Sequence, residues 1–244
     1  MTTLLITGFG PFPGAPYNPT VKLVRALTRV RRPAFSDVKM VEHVFETSYA
    51  AVDRELPQLI ATHKPDALLM FGLHGRAKTI RIETRARNAL ALLPDVSGNI
   101  LRRSVIDCEA PFSHAMPMPA WRLLAAARSA HVPAVLSRDA GRYLCNYLCW
   151  RAREAVNGGG PKLAAFVHVP PVRRFARPIK RSVRLRESGD PWVKELDSHL
   201  FRKDGASRLM RGNERTAKHD FTAADLLRAG QNILATMISV VNRT

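Results

Sequence analysis

The run ALLMFG, residues 67–72, decides the fold class of this chain. The residues before its final glycine are all apolar. An unbroken apolar run of this length is typical of a strand that other elements cover on both faces, as happens in parallel sheets. We therefore predict that Ala67–Phe71 is a central strand of a parallel sheet.

Short apolar runs alternate with amphipathic helices on both sides of this strand. The other predicted strands are 4–7, 38–44, 80–87, 134–136 and 163–169, and the predicted helices are 19–30, 49–63, 120–130, 144–156 and 222–241. Within 80–87 apolar residues alternate with charged ones, which predicts a half-exposed strand. The alternation of strands and helices predicts an α/β domain layered around a mostly parallel sheet. Such sheets carry their sites in loops beyond the carboxyl ends of the strands.

Length and charge predict one domain with a basic insertion. The chain has 244 residues, of which 46% are hydrophobic, and we expect a single domain over 1–244. It carries 38 Lys and Arg against 20 Asp and Glu, a formal net charge of +18. Residues 173–219 hold 14 of these bases, 6 of the acids and few apolar side chains, which predicts a basic surface insertion, ordered or flexible. Such charge suits nucleic acid or an acidic partner, and equally a solvated surface.

The three cysteines, Cys108, Cys145 and Cys149, indicate a reducing compartment. An odd number of cysteines cannot form a complete disulfide framework. The first residues lack the basic region of a signal peptide, and no apolar run reaches the roughly 18 residues of a membrane span. We therefore expect a cytoplasmic protein without a membrane segment. Because no second close pair of Cys or His accompanies Cys145 and Cys149, we expect no metal site.

The glycines of GFGPFPG, residues 8–14, raise the possibility of a dinucleotide-binding loop. In that loop the backbone N–H groups hold pyrophosphate, and a third glycine allows close packing of strand and helix. Here the third glycine comes one residue late, and the prolines remove N–H donors. No G-x-S-x-G nucleophile elbow occurs either. We expect neither a bound nucleotide nor any other cofactor.

Two later segments point to thiol chemistry. SRDAGRYLCNYLCW, residues 137–150, places Cys145 near a helix start, where unpaired N–H groups stabilise a thiolate. FVHVP, residues 166–170, places His168 at the end of an apolar strand. A thiol and an imidazole on successive strand ends suit a nucleophile and its base, and Glu83 is the candidate acid to orient the imidazole. The structural alternatives are a core cysteine, a hydrogen-bonded core histidine and a surface ion pair.

Together these blocks resemble the pyroglutamyl peptidase I family of cysteine peptidases. Each of TGFGPFPGAPYNPT, IRIETRARN, AGRYLCNYLCW and FVHVP is similar to a block of that family, and the blocks follow in the same order. FTAADLLRAGQNIL, residues 221–234, is similar to the final helix of the family. The likeness covers roughly residues 1–172 and 220–241.

The resemblance implies a three-layer α/β/α domain around a mostly parallel, partly mixed sheet. It implies removal of N-terminal pyroglutamate from peptides through a thioester, with Cys145, His168 and Glu83 as the catalytic residues. The implied substrate-binding residues are Phe9, Phe12, Leu73, Tyr143 and Leu144, and Asn18 and Asn88 are the implied supports of the site.

The resemblance also implies an assembly of two or four copies. An alternative keeps the fold but changes its use. In that alternative, peptidase activity is altered or lost, and the basic segment 173–219 binds nucleic acid or an acidic partner.

Overall fold

The structure is a computed structural model that describes residues 1–12, 14–172 and 220–243. The predicted basic insertion, residues 173–219, lies outside the described residues. None of the helices in the described part is both long and apolar enough to cross a membrane.

Strands and helices alternate through the described chain, as the sequence predicts. The strands are β1 (Thr2–Phe9), β2 (Val38–Phe45), β3 (Ala67–Leu73), β4 (Ile80–Glu83), β5 (Arg85–Arg87), β6 (Ser113–Ala115), β7 (Ala134–Ser137) and β8 (Leu163–Val169). The α-helices are α1 (Pro19–Thr28), α2 (Tyr49–His63), α3 (Ala120–Arg128), α4 (Leu144–Asn157) and α5 (Ala223–Val241), and a short 3-10 helix covers Pro33–Phe35.

The main sheet has the strand order β2-β1-β3-β8-β4-β7. The pairs from β2 to β8 are parallel, β4 and β7 are parallel to each other, and β4 is antiparallel to β8. Strands β5 and β6 form a separate antiparallel pair. The predicted mostly parallel, partly mixed sheet is therefore confirmed.

Helices cover the main sheet on both faces and create two hydrophobic cores. Residues two apart along a strand share a face, so each strand contributes alternate side chains to each core. The first core holds Phe71 and Val167 with residues of α1, α3 and α5. The second core holds Met70 and Phe166 with residues of α2 and α4. The result is the expected three-layer α/β/α arrangement.

Short polar contacts fix where several helices begin. Asn18 and Ser48 cap α1 and α2, each accepting from a backbone N–H of the first turn. Thr222 and Asp225 form a reciprocal capping box at the start of α5. These caps satisfy N–H groups that have no partner within the helix.

The predicted half-exposed strand over 80–87 is wrong in two respects. The chain forms two strands there, and β4 lies inside the main sheet between β8 and β7. Its acidic residue, Glu83, is 0% exposed. Charged residues normally face water. Here the carboxylate has a buried partner instead, which the alternation of residue types does not reveal.

Candidate active site

His168 and Glu83 form a buried hydrogen-bonded pair within the sheet. His168 is the penultimate residue of β8, and its Nδ1 lies 2.8 Å from Oε1 of Glu83, the last residue of β4. The side chains are 4% and 0% exposed, so water does not compete for the contact. Because a carboxylate only accepts, Nδ1 donates and Nε2 is directed away from Glu83.

The register between β4 and β8 explains how the carboxylate reaches this nitrogen. The strands are antiparallel, with Arg81 opposite His168 and Glu83 opposite Phe166. Glu83 therefore lies two residues deeper along β8 than His168, and on the same face of the sheet. The carboxylate supports the imidazole from within the sheet instead of from its rim.

Cys145 is the second residue of α4, which packs on that same face. The turn before α4 uses Gly141 at φ +85°, in the left-handed region that favours glycine. The N-cap residue Tyr143 makes no side-chain cap hydrogen bond. The first backbone N–H groups of a helix have no intrahelical acceptor, so hydrogen-bond donors of the first turn of α4 are available beside this sulfur.

Gly72 makes room for the sulfur. It is in register with His168 across the β3–β8 pair. A Cβ atom on Gly72 would lie 2.9 Å from Sγ of Cys145 and 2.6 Å from Cζ of Phe166. Only a residue without a side chain lets α4 bring the sulfur this close to the strand beside His168. In the sequence, Gly72 only marks the end of a predicted strand. Its contact with α4 could not be predicted, because the residues of α4 lie far away in the sequence.

Cys145 and Glu83 together determine the protonation of His168. Burial lowers the pKa of His168, but the charge and hydrogen bonding of Cys145, followed by those of Glu83, outweigh burial and raise it to about 9. The imidazole is therefore a cation at neutral pH, next to the sulfur. A thiolate beside an imidazolium is the reactive form of a cysteine nucleophile.

Arg81 and His74 border the imidazole without having been predicted as site residues. Arg81 Nε lies 3.5 Å from Oε1 of Glu83, and its Nη2 donates to Oγ of Ser137 at 2.8 Å. The His74 ring stands edge-to-face on His168, with 5.5 Å between the ring centroids. Arg81 lies within the IRIETRARN block, but its contact with Glu83 and the contact of His74 with His168 depend on the packing of the strands, which the sequence does not show.

The other two cysteines have different surroundings. Cys149 follows one turn after Cys145 and is fully buried. Burial raises the pKa of the Cys149 thiol well above its usual value, and the charge of Glu83 adds to this effect. Cys108 is exposed on a loop. Within residues 1–12, 14–172 and 220–243, no group of three or more His, Cys, Asp or Glu is placed to hold a metal ion.

Asn146, directly after Cys145, ties the start of α4 to β5. Its Oδ1 accepts from the backbone N–H of Arg87 at 2.8 Å, and its Nδ2 donates to the carbonyls of Arg87 and Ala89 at 2.8 and 3.1 Å. The side chain is fully buried. Buried amides of this kind fix a single packing arrangement because all their hydrogen bonds must be met. In the sequence, the position of a polar residue directly after the predicted nucleophile was the feature that could have indicated this role.

The loop after β1 is held from two sides. Phe9 is 2% exposed, and both its N–H and its carbonyl bond to Oγ1 of Thr20. Asn18 caps α1 and donates to the carbonyl of Gly10 at 3.2 Å. Phe12 is half-buried in the loop. The structure thus places Phe9 at the end of β1 and Phe12 in the loop that follows, and Asn18 braces that loop.

The remaining predicted substrate-binding residues separate into two groups. Tyr143 and Leu144 immediately precede Cys145, and the Tyr143 hydroxyl donates to the carbonyl of Pro94 at 2.8 Å. Leu73 is in register with Val169, whose side chain lies in the first core. Alternation therefore puts Leu73 on the sheet face opposite Cys145. A part for Leu73 in substrate binding stays a prediction.

Asn88 organises the long loop that follows β5. Its Oδ1 accepts from the backbone N–H groups of Ile106 and Asp107 at 2.8 and 3.0 Å. Its Nδ2 donates to the carbonyls of Asp107 and Ala110 at 2.6 and 3.1 Å. These bonds replace a backbone ladder in a segment that forms no strand or helix.

Comparison with known proteins places this chain in a family. The family model for pyroglutamyl peptidase matches residues 2–179. A pyrrolidone-carboxylate peptidase of Pyrococcus furiosus is 30% identical over 169 residues, which cover 68% of this chain and 80% of the relative. The enzyme of that name from Deinococcus radiodurans is 30% identical over 173 residues, covering 70% of this chain and 78% of the relative.

Solved structures show the same fold. A pyrrolidone carboxyl peptidase from Thermococcus litoralis has a TM-score of 0.75 at 23% identity, covering 100% of this chain and 96% of that one. A pyroglutamyl peptidase I from Bacillus amyloliquefaciens has a TM-score of 0.72 at 20% identity, covering 98% of each chain. With the family match over most of its length, this chain belongs to the pyroglutamyl peptidase family.

Proposed function

We propose that this protein is a cysteine peptidase that removes pyroglutamate from the N-terminus of peptides. One observation carries the proposal: the His168 imidazole, which the buried Glu83 carboxylate holds, hydrogen-bonds Cys145 at the start of α4. The relatives are named as pyrrolidone-carboxylate peptidases, which supports this reading over a binding protein with lost activity. Cys145 is the nucleophile, His168 the acid and base, and Glu83 orients the imidazole.

The first half of the reaction forms a thioester. The Cys145 thiolate attacks the carbonyl carbon that joins pyroglutamate to the next residue, and the carbonyl oxygen becomes an oxyanion. The His168 imidazolium then gives its proton to the leaving nitrogen as the C–N bond breaks. The shortened peptide leaves with a free amino group, and pyroglutamate stays bound to sulfur.

Water completes the cycle. Neutral His168 takes a proton from a water molecule, whose oxygen attacks the thioester carbonyl. The C–S bond breaks, pyroglutamic acid departs, and the thiolate–imidazolium pair is restored. Glu83 stabilises the cation at each stage. The Cys145 backbone N–H, at the helix start, is the proposed donor to the oxyanion.

The pyroglutamyl ring is small and mostly apolar, so it suits a pocket lined by apolar and aromatic side chains. Phe9 ends β1 and Phe12 lies in the braced loop after it, while Tyr143 is the N-cap of α4 and Leu144 is its first residue. Apolar walls around a small ring exclude water from the thioester until the peptide has left. These residues form the proposed pocket, with Asn18 and Asn88 as its supports.

A fluorogenic pyroglutamyl amide tests the proposal directly. The wild-type protein should release the fluorophore, and Cys145→Ala should abolish release because no nucleophile remains. Cys108→Ala is the matched control, since it removes an exposed thiol on another loop and should retain full activity. Hydrolysis that survives in Cys145→Ala would rule out the mechanism.

The alternative of a basic binding protein predicts a different result. Wild type would then show no hydrolysis, and it would retain nucleic acid with a steep dependence on salt concentration. The segment concerned, residues 173–219, lies outside the described residues. A cytoplasmic location and an assembly of two or four copies stay predictions, which fractionation and light scattering can test.

A further inference from the structure

His74 turns back into the site just after β3 ends. Its backbone N–H donates to the carbonyl of Val169 at 3.0 Å, so the chain still runs beside β8 at this point. The His74 ring meets the His168 ring at 87°, with the centroids 5.5 Å apart. A second imidazole therefore borders the proposed catalytic one.

The imidazole of His74 has an unused hydrogen-bonding atom. Its Nδ1 is buried and, among the residues that the structure describes, has no hydrogen-bond partner. Leaving such a nitrogen unpaired costs free energy, because it has given up its hydrogen bond to water. Native proteins rarely tolerate this cost without a ligand, a water molecule or a functional reason. The ring as a whole is only half-buried, so it lies at the boundary between the site and the core.

Its surroundings keep this imidazole uncharged. Burial lowers the pKa of His74 to about 4, and the cations His168 and Arg81 add to the effect. The charge of Glu83 and a contact with the residue's own main chain act weakly in the opposite sense. At neutral pH the ring therefore offers one N–H donor and one bare nitrogen acceptor. Such a pair can bind a neutral amide without adding charge beside the His168 cation.

Two other polar atoms around His168 also have no hydrogen-bond partner among the described residues, Oε2 of Glu83 and Nε of Arg81, but both belong to the Glu83–Arg81 ion pair. Glu83 accepts from His168, and Arg81 pairs with Glu83 and with Ser137. His74 is thus, among the described residues around His168, the neutral side chain whose nitrogen is satisfied neither by a hydrogen bond nor by an ion pair.

We propose that His74 is a specificity-determining residue whose imidazole hydrogen-bonds the lactam amide of the pyroglutamyl ring. The inference rests on the proposed function. When the scissile carbonyl lies at Cys145, the ring attached to it must lie within a few bond lengths of His168, and the lactam amide is the polar group of that ring. The apolar pocket walls provide shape, and His74 distinguishes pyroglutamate from other five-membered rings.

Two substitutions separate hydrogen bonding from packing. His74→Phe keeps a flat ring against His168 but loses both nitrogens, and His74→Gln keeps donor and acceptor but loses the ring. We expect His74→Phe to lower kcat/KM on a pyroglutamyl amide about 10- to 100-fold, mainly through KM, and His74→Gln to restore part of it. Thermal melting shows whether each variant is folded.

A second substrate provides the control. A cyclopentanecarbonyl amide with the same fluorophore has the ring without the lactam, so His74→Phe should leave its hydrolysis unchanged. An equal loss on both substrates, or a shifted pH profile on both, would show that His74 only positions His168. Should His74→Phe match wild type on the pyroglutamyl amide, the inference is wrong, although the proposed function stands. Absence of Cys145-dependent hydrolysis in wild type would instead overturn the function itself.

Discussion

The two faces of β3, β4 and β8 differ sharply although they belong to the same strands. On the α4 face, Gly72 and His168 lie beside the sulfur of Cys145, and Glu83 holds His168. On the opposite face the immediate neighbours in sequence are Phe71, Ile82 and Val167, all 0% exposed and all apolar. Each strand therefore contributes one residue to the site and the next to a core.

This difference separates chemistry from stability along one strand. The apolar face holds the strands in place through burial, which is the main favourable term in folding. The α4 face, which we call the site face, carries groups that cost free energy to bury, such as the Glu83 carboxylate. Substitutions on the site face should mainly change activity, and those on the opposite face should mainly change stability. Each prediction below tests that separation.

Glu83→Gln should have the largest effect. The amide has nearly the same shape, but it lacks the charge that stabilises the His168 cation and selects its Nδ1–H form. We expect kcat/KM to fall about 10³- to 10⁴-fold, as for the loss of the orienting acid in other triads. The variant should also melt at a lower temperature, because removing one partner of a buried ion pair leaves the other uncompensated, so activity is compared well below the melting temperature. A variant that keeps near wild-type activity would mean that Glu83 is not the orienting acid.

Gly72→Ala should have the next largest effect. The new Cβ would lie 2.9 Å from Sγ of Cys145, so the sulfur must move away from His168. Displacement of a nucleophile by about 1 Å can lower the rate about 100-fold, and we expect a loss of that size in kcat. Steady-state kinetics on the pyroglutamyl amide measures it.

Gly230→Ala is the matched control on the opposite face. There a Cβ would lie 3.2 Å from two methyl carbons of Leu27, between α5 and α1. Stability should change by about 1 kcal/mol in either direction, because tight packing opposes the better helix propensity of alanine. Activity should remain that of wild type. If Gly72→Ala and Gly230→Ala reduce activity equally, the effect is a general one on folding.

The protonation of His168 tests the electrostatics of the site face. Burial lowers its pKa, and Cys145 provides the main opposing influence that brings it to about 9. In Cys145→Ala that influence is gone, so the pKa of His168 should fall by about one unit or more, as NMR titration of the imidazole would show. In wild type, kcat/KM should fall as the pH rises through about 9, because His168 then loses the proton that the leaving amine needs. An imidazole that still titrates near 9 in Cys145→Ala would assign the shift to Glu83 alone.

Most of the fold could be predicted from local patterns. The predicted limits of α2 and β8, Tyr49–His63 and Leu163–Val169, match the structure because each has a clear period and a clear end. The position of β4 could not be predicted in this way. Its pairing with β8 depends on residues far away in sequence, and the alternation of charged and apolar residues predicted a half-exposed strand. As a result, β7 and β8 follow one another along the chain but have β4 between them.

The candidate site, like the fold, could be predicted only in part. Cys145, His168 and Glu83 belong to recognisable segments, so the sequence alone suggested them. Gly72 and His74 did not stand out, because their significance lies in what packs against them. The absence of a Cβ at Gly72 is important because the sulfur of Cys145 approaches it, and the His74 ring is important because it lies beside the His168 ring. Contacts of this kind join separate elements, so they produce no periodic pattern in the sequence.

Ile82→Val should have the smallest effect and gives the sharpest test of the two faces. Ile82 lies between Arg81 and Glu83 in β4, but its side chain is fully buried in the first core. Loss of one methylene should lower the free energy of unfolding by about 1 kcal/mol, measured by urea denaturation. Because the backbone of β4 is fixed by β8 and β7 on either side, Glu83 should stay in place and kcat/KM should stay within about twofold of wild type. A large loss of activity without a loss of stability would show that the apolar face also determines the geometry of the triad, and the separation between the faces would then not hold.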